Sequence, residues 1–284
     1  MSTTRLCESG HIATTHQLVA LGASRSKITR AVGEGRLVRI RQGVYACPHV
    51  NAMVAQAARL GSALTCVTVL RASEVWAGSS SRLHVQVPPN ARNRGSNDAQ
   101  IHWGQPQFEM ATPWIAGRMQ AMWQAMRCLD EENAIAALES AIHKRFLTAS
   151  QVDELCRRAP TRLHDGISRM VGDSGSGLET IARLRLQRAG HSAISQPAVP
   201  GLGHQDLLVD DCVALEVDGE KWHGPDQFEV DRERDLQAAR LGRRTIRLTS
   251  RHVLANWPDS LTAIERAVAD SRRVRNEGRI RDAP

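Results

Sequence analysis

Aromatic side chains are scarce in this sequence, with one Tyr, three Phe and six Trp among 284 residues. Its cores must therefore rest on Leu, Val, Ile and Ala. The six cysteines, at positions 7, 47, 66, 128, 156 and 212, include no C-x-x-C pair. That argues against a zinc ribbon and against a disulfide-stapled secreted domain. Cys66 and Cys212 sit in apolar runs and read as buried thiols. No stretch reaches the ~18 apolar residues of a membrane span, and the N-terminus lacks a signal-peptide core. A reducing, cytoplasmic setting without membrane contact is the expectation. Acids are also in deficit: the net charge is +7 and the pI about 9.6. Polyanionic partners are favoured, nucleic acid before membrane.

The length allows two or three domains, each with its own core. Residues 11–48 read as one compact unit. A short helix from Thr14 ends at Gly22, Ser24 offers the N-cap of a second helix through about Val32, and Gly33 and Gly35 stop it. Arg36–Arg41 and Val44–Ala46, separated by Gln42-Gly43, read as a hairpin. Helix, turn, helix, hairpin is the order of a winged helix. Six basic residues (Arg25, Lys27, Arg30, Arg36, Arg39 and Arg41) lie between positions 25 and 41 against one acid, Glu34. A second helix and hairpin so charged suit a major groove and its flanking phosphates. A winged helix used for protein contact, with solvated arginines, is the other reading.

Residues 51–164 read as an α+β middle domain with less chemistry. Met53–Leu60 and Thr65–Val75 are predicted helical, Leu83–Val87 a strand ended by Pro88, and Ile101–Trp103 a strand that pairs with it. Positions 89–97 form a polar, basic loop. Thr112-Pro113 is predicted to open a helix, and Asp130–His143 to form another. His84 and His102 have no carboxylate partner at convincing spacing and read as structural. Gly166, Gly172, Gly175 and Gly177 mark 165–177 as a linker. The tail 271–284 is rich in arginine without an apolar stripe, so it is expected to be disordered or weakly helical.

The segment Gln205–Gly219 reads as two apolar strands joined by a tight turn, with Asp206, Glu216 and Asp218 inside the strands. A carboxylate in a buried strand is costly unless it is paired or holds a metal. Strand parity makes the metal reading testable. A two-residue turn puts Asp206 opposite Leu215 and on the other face from Glu216. A three-residue turn over 210–212, or a bulge, puts Asp206 opposite Glu216. Oxygen ligands of this kind suit Mg²⁺ or Mn²⁺. Lys221 or His223 could then position or deprotonate a water, His223 being better suited near neutral pH. His223 is otherwise a surface residue beside Trp222. Glu179 lies three residues after Ser176, which a capping box explains without catalysis. A place near the metal is compatible with that. A helix is predicted at about Asp226–Leu241, a buried strand at Thr245–Leu248 and a last helix at Asp259–Ala269. Seven arginines fall between Arg232 and Arg251. Of these, Arg232 and Arg247 are candidates to meet DNA, Arg247 by holding phosphate from within a strand.

Residues 178–270 resemble the PD-(D/E)xK nuclease superfamily, close to the very-short-patch-repair-like endonuclease domain. The resemblance is carried by Leu178-Glu179, Asp206, Leu215-Glu216-Val217-Asp218-Gly219, His223, Asp231-Arg232-x-Arg234-Asp235 and Leu241-Gly242. It implies metal ligands at Asp206, Glu216 and the backbone carbonyl near Val217. Asp218 departs from the pattern, standing where the superfamily has lysine. The repair-like branch also lacks that lysine, and histidine can serve there instead. Residues 11–150 resemble the AbiEi-type antitoxins of type IV toxin–antitoxin systems. That match rests on Gln17-Leu18-x-x-Leu21-Gly22, on Gly35–Tyr45 and on Thr112-Pro113. The resemblance implies DNA binding through the winged helix and a cognate toxin or defence partner.

The expected fold class is thus mixed α/β. A winged helix (1–50) and the α+β middle domain precede a restriction-endonuclease-like α/β sandwich with a small mixed sheet (178–270). The expected function is DNA binding joined to Mg²⁺-dependent endonuclease chemistry, in phage defence or a toxin–antitoxin-like setting. The alternative is a non-catalytic repressor with a degenerate nuclease fold. Winged-helix regulators are often homodimers, and nothing in the sequence locates an interface.

Overall fold

A computed structural model describes residue 6 and residues 11–91, 98–172, 174–199, 203–218 and 244–281. The chain divides into two compact units, Met1–Cys128 and Leu129–Pro284, and the whole is mixed α/β.

The first unit opens with strand β1 (Ile12–Thr14), helix α1 (Thr15–Ala20) and helix α2 (Arg25–Gly33). Thr14 and Gln17 form a reciprocal capping box at the start of α1, and the Ser24 hydroxyl accepts from the Lys27 amide at the start of α2. Each such cap contributes roughly 1 kcal/mol by satisfying amides that the first turn leaves open. The chain then turns into the hairpin β2 (Val38–Arg41) and β3 (Val44–Ala46). Gly43 holds φ +75° in its turn, a value glycine takes without steric cost. β1 completes the sheet in the order β1-β3-β2. The residues fit a winged helix, with Leu18, Ile28, Ala31, Leu37 and Cys47 as its core.

The middle segment continues with α3 (Ala52–Arg59), β4 (Ala63–Leu64), α4 (Cys66–Ala72), β5 (Leu83–Val87), β6 (Ala99–Trp103), β7 (Met110–Thr112), β8 (Ile115–Ala116) and α5 (Arg118–Cys128). Its five strands form one sheet in the order β6-β5-β4-β8-β7. β5 and β6 do pair, in parallel, with Leu83 opposite Ala99 and Val87 opposite Trp103. Ile12, Ile40, Val44 and Ala46 share a buried cluster with Val54, Ala57, Leu64, Val85 and Trp114. The wing and the five-stranded sheet therefore have a common core. Thr112-Pro113, expected to open a helix, instead makes the turn between β7 and β8. The Trp114 amide donates to Thr112 Oγ1 (3.1 Å), and the Trp114 ring is buried in the shared core. Burying an indole outweighs a local preference for helix initiation, and α5 begins only at Arg118.

The second unit starts with α6 (Glu131–His143), α7 (Ala149–Arg157), a 3₁₀ turn (Thr161–Leu163), α8 (His164–Ser168) and α9 (Gly177–Arg188). Residues 166–171 of the expected linker are packed against α6 and α9. The Gly166 amide donates to Glu131 Oε1 (2.9 Å) and the Val171 amide to Glu139 Oε1 (2.6 Å). A Cβ at Gly166 would sit 2.6 Å from Ile135 Cγ1. This glycine permits close approach to α6, so its cause is packing and not mobility. Arg183 of α9 and Glu139 of α6, both fully buried, pair at 2.6 Å. The Glu139 carboxylate also accepts from Thr180 Oγ1 (2.6 Å), and Arg183 donates to the Arg169 carbonyl (2.6 Å). Residues 129–170 thus belong to the C-terminal unit.

Strands β9 (Ala193–Ser195), β10 (Ala198–Val199), β11 (Gly203–His204), β12 (Leu207–Val209), β13 (Val213–Asp218) and β14 (Arg244–Thr249) follow, then α10 (Ser250–Leu254) and α11 (Trp257–Arg281). The main sheet has the order β14-β13-β12-β9. β13 runs antiparallel to β12 and parallel to β14. β14, expected to be buried, lies at the edge of the sheet and buries only Leu248. α11 does not end near Ala269 but continues to Arg281. No proline interrupts that stretch, and Ser271 is still buried, with its hydroxyl donating to the Ala267 carbonyl. The predicted helix at 226–241 lies outside the described residues.

Candidate nucleic-acid interface and acidic site

Arg25, Lys27 and Arg30 project from α2 and are all exposed, as are Arg36, Arg39 and Arg41 on and before the hairpin. Within β2 only Ile40 points inward, so the strand presents its arginines to solvent. Two of the six cations are engaged. Arg36 forms an ion pair with Glu34, and Arg41 donates Nε to the Ala58 carbonyl (3.0 Å). Arg25, Lys27, Arg30 and Arg39 have no acidic partner among the described residues. A cavity of about 160 Å³ opens among Lys27, Ile28, Arg30, Arg36 and Leu37. Positive charge thus surrounds a concave surface at the helix–hairpin junction.

In the second unit the pairing of β12 with β13 sets Leu207 opposite Leu215 and Val209 opposite Val213. Continuing that register by one residue places Asp206 opposite Glu216. The connection is the three-residue turn 210–212, with Asp210 at φ +49° and Asp211 at φ +58°. Aspartate tolerates this left-handed region better than most residues. Asp206 Oδ2 accepts from the Val217 amide at 2.7 Å. Glu216, half-buried, pairs with Arg247 Nε at 2.8 Å across the parallel β13–β14 pairing.

Glu179 stands at the start of α9 and is buried. Its amide donates to Ser176 Oγ (3.2 Å), the first half of the expected capping box. Its carboxylate accepts from the Gly175 amide and Gln196 Nε2, both at 2.9 Å, and also meets the Ser176 side chain. Burial pushes the Glu179 carboxyl above its ordinary pKa, and the Asp206 charge pushes it further. The two acids therefore sense one another across the start of the helix and the start of β12. Among the described residues, Glu179, Asp206 and Glu216 do not bring three ligand atoms together at one point. Asp218 is the last residue of β13. Lys221, His223 and Arg232 lie outside the described residues.

A separate cluster escapes local sequence reading. Cys66, His84, His102 and Cys128 converge in the first unit, although 18, 18 and 26 positions separate them in order along the chain. No short spacing announces such a group, because it is assembled by the parallel pairing of β5 with β6 and by the two helices beside them.

The basic helix, the glycine-turned hairpin and the shared three-stranded sheet define a winged-helix module. In agreement with that class, residues 4–48 match the family model described as "Transcriptional regulator, AbiEi antitoxin". No curated protein matches the chain. No described helix is long and apolar enough to cross a membrane.

Proposed function

We propose that the first unit binds duplex DNA as a regulator, with α2 entering the major groove and the hairpin lying on the flanking phosphates. The observation that carries this reading is the set of four exposed cations without acidic partners among the described residues, Arg25, Lys27, Arg30 and Arg39. Each can release a condensed counterion on meeting a phosphate, which makes affinity strongly salt-dependent. The similarity of residues 4–48 to antitoxin regulators supports a cognate toxin or defence protein as partner. The test is DNA binding by the full chain in a salt series, read by fluorescence anisotropy. Replacing all four cations by alanine should flatten the log–log salt slope by about three to four. Equal slopes for the variant and the parent would remove these residues from the interface.

The acidic site favours a second reading, metal-dependent hydrolysis of DNA phosphodiesters. Its support is the register that sets Asp206 opposite Glu216, with buried Glu179 close enough to feel the Asp206 charge. Carboxylate oxygens fit Mg²⁺ or Mn²⁺, and Asp206, Glu216 and the Val217 carbonyl would hold the ion, with Asp218 and Glu179 beside them. The ion would supply an activated water and charge neutralisation. Lys221 and His223 are the candidates to orient that water, and Arg232 to hold DNA. The Arg247 guanidinium neutralises Glu216 and would have to release it to meet a phosphate. Plasmid nicking in Mn²⁺ that disappears in Asp206→Ala and Glu216→Ala supports this reading. DNA binding without nicking in either metal instead assigns the chain as a repressor that keeps the nuclease fold without its catalysis.

A further inference from the structure

The geometry points to a site for one tetrahedral Zn²⁺ ion in the first unit, with Cys66 Sγ, His84 Nδ1, His102 Nε2 and Cys128 Sγ as its four ligands. This site is independent of the acidic residues in the second unit and of both readings above.

The four ligand atoms lie within 4.8 Å of one another. His84 Nδ1 is 3.1 Å from His102 Nε2, and Cys128 Sγ is 3.8 Å from His84 Nδ1. Ligands at Zn–N of about 2.0 Å and Zn–S of about 2.3 Å define tetrahedral edges of roughly 3.3–3.8 Å. The His84–His102 and His84–Cys128 separations already stand near those edges, and the whole set closes within 4.8 Å. Two thiolates and two imidazoles are also a donor set that selects zinc over Mg²⁺ or Ca²⁺.

The fold brings the ligands together from four elements. Cys66 is the first residue of α4, and Cys128 is the last of α5. His84 pairs with Gln100, and Gln86 with His102, in the parallel β5–β6 ladder. The two histidines are thus offset by two residues on neighbouring strands and share one face. Gln86, on the same face, is hydrogen-bonded at both ends of its amide. Gln120 Nε2 of α5 donates to Gln86 Oε1 (3.0 Å), and Gln86 Nε2 donates to the Gly104 carbonyl (3.1 Å). Gln120, Gln124 and Cys128 follow at intervals of four along α5, and both glutamines are buried. A polar stripe on a helix therefore leads to a thiol at its end, over a strand pair that presents two imidazoles.

One further observation sets this cluster apart from an ordinary core. Cys66 is fully buried and holds φ +53°, a conformation that costs of order 1–3 kcal/mol for a residue other than glycine and is concentrated at functional sites. On zinc binding the Cys66 and Cys128 thiol protons pass to solvent, and each imidazole keeps its proton on the nitrogen that faces away.

The experiment uses the full chain, purified reduced and without chelator. Elemental analysis should find about one zinc per chain, and exchange with Co²⁺ should give the visible d–d bands of a tetrahedral site together with a thiolate charge-transfer band. Cys128 is exposed, so Cys128→Ser should fold like the parent by circular dichroism. It should weaken metal binding by at least about tenfold, since even the loss of an outer-shell partner costs that much. His102→Ala should do the same, while Cys156→Ser should leave the cobalt spectrum unchanged. Three results would each overturn the site. One is reduced protein that holds less than about a tenth of an equivalent of zinc and gives no cobalt spectrum. Another is a Cys66–Cys128 disulfide that takes up no metal after reduction. The last is a cobalt spectrum that Cys128→Ser does not alter.

Discussion

The two units use arginine in opposite ways. In the first, α2 and the hairpin turn Arg25, Arg30 and Arg39 to solvent with no acid beside them among the described residues. In the second, arginine is matched to carboxylate: Arg183 with Glu139, Arg185 with Glu132, Arg188 with Glu131 and Glu132, and Arg247 with Glu216. The net charge of +7 says nothing of this division. An uncompensated cation on a surface is available to a polyanion, whereas a buried and paired one fixes how helices meet. Only the first kind supports an argument about partners.

The sharpest way to break this contrast is at the buried pair. Glu139→Ala leaves the Arg183 guanidinium in the core without its counter-charge, and removal of one partner from such a pair typically costs about 3–5 kcal/mol. Urea denaturation should show that loss, with most of it regained in the double variant Glu139→Leu/Arg183→Met, which removes both charges. A double variant as unstable as the single one would mean that the pair is not what joins α6 to α9.

A smaller effect separates two exposed arginines of the same strand. Arg39→Ala should weaken DNA binding by roughly 1 kcal/mol and reduce the salt slope by about one, with melting temperature unchanged. Arg41→Ala should also lower the melting temperature, because its Nε bond to the Ala58 carbonyl is lost. Parallel melting and anisotropy curves for the two variants decide the point.

The smallest effect concerns Glu179 and appears as pH dependence. Burial and then the Asp206 charge raise its folded pKa above the ordinary value of 4.5. The folded state therefore holds this proton more tightly than the unfolded state does. Its contribution to stability is fully present below pH about 4.5 and is lost as pH rises through the folded pKa. Glu179→Gln, which cannot ionise, should raise the melting temperature relative to the parent at pH 7, and the advantage should shrink towards pH 4. An advantage constant across that range would show that charge is not its source.

The local elements were readable where a local cause produces them. Ser24 before a helix, Gly22 after one and Gln42-Gly43 in a hairpin act through their own backbone and a few neighbours, and the structure follows them closely. The requirement placed on residues 210–212 was readable too, because strand parity links turn length to facing. Thr112-Pro113 misled because a distant core claims Trp114. Gly166, read as part of a linker, lies against Ile135, because glycine signals both a connection and tight packing. The Cys66–His84–His102–Cys128 group was illegible for another reason. Its members meet through a parallel strand pair, and parallel pairing leaves no short-range mark in a sequence.

The core shared between the wing and the five-stranded sheet bears on how this module can be transplanted. The recognisable pattern covers residues 4–48, yet Ile12, Ile40, Val44 and Ala46 are roofed by side chains as far along as Trp114. A fragment cut at residue 50 would keep every residue that resembles a DNA reader and lose the floor on which its hairpin rests. The portable piece is the first 128 residues, and a family boundary drawn by similarity alone falls well inside it.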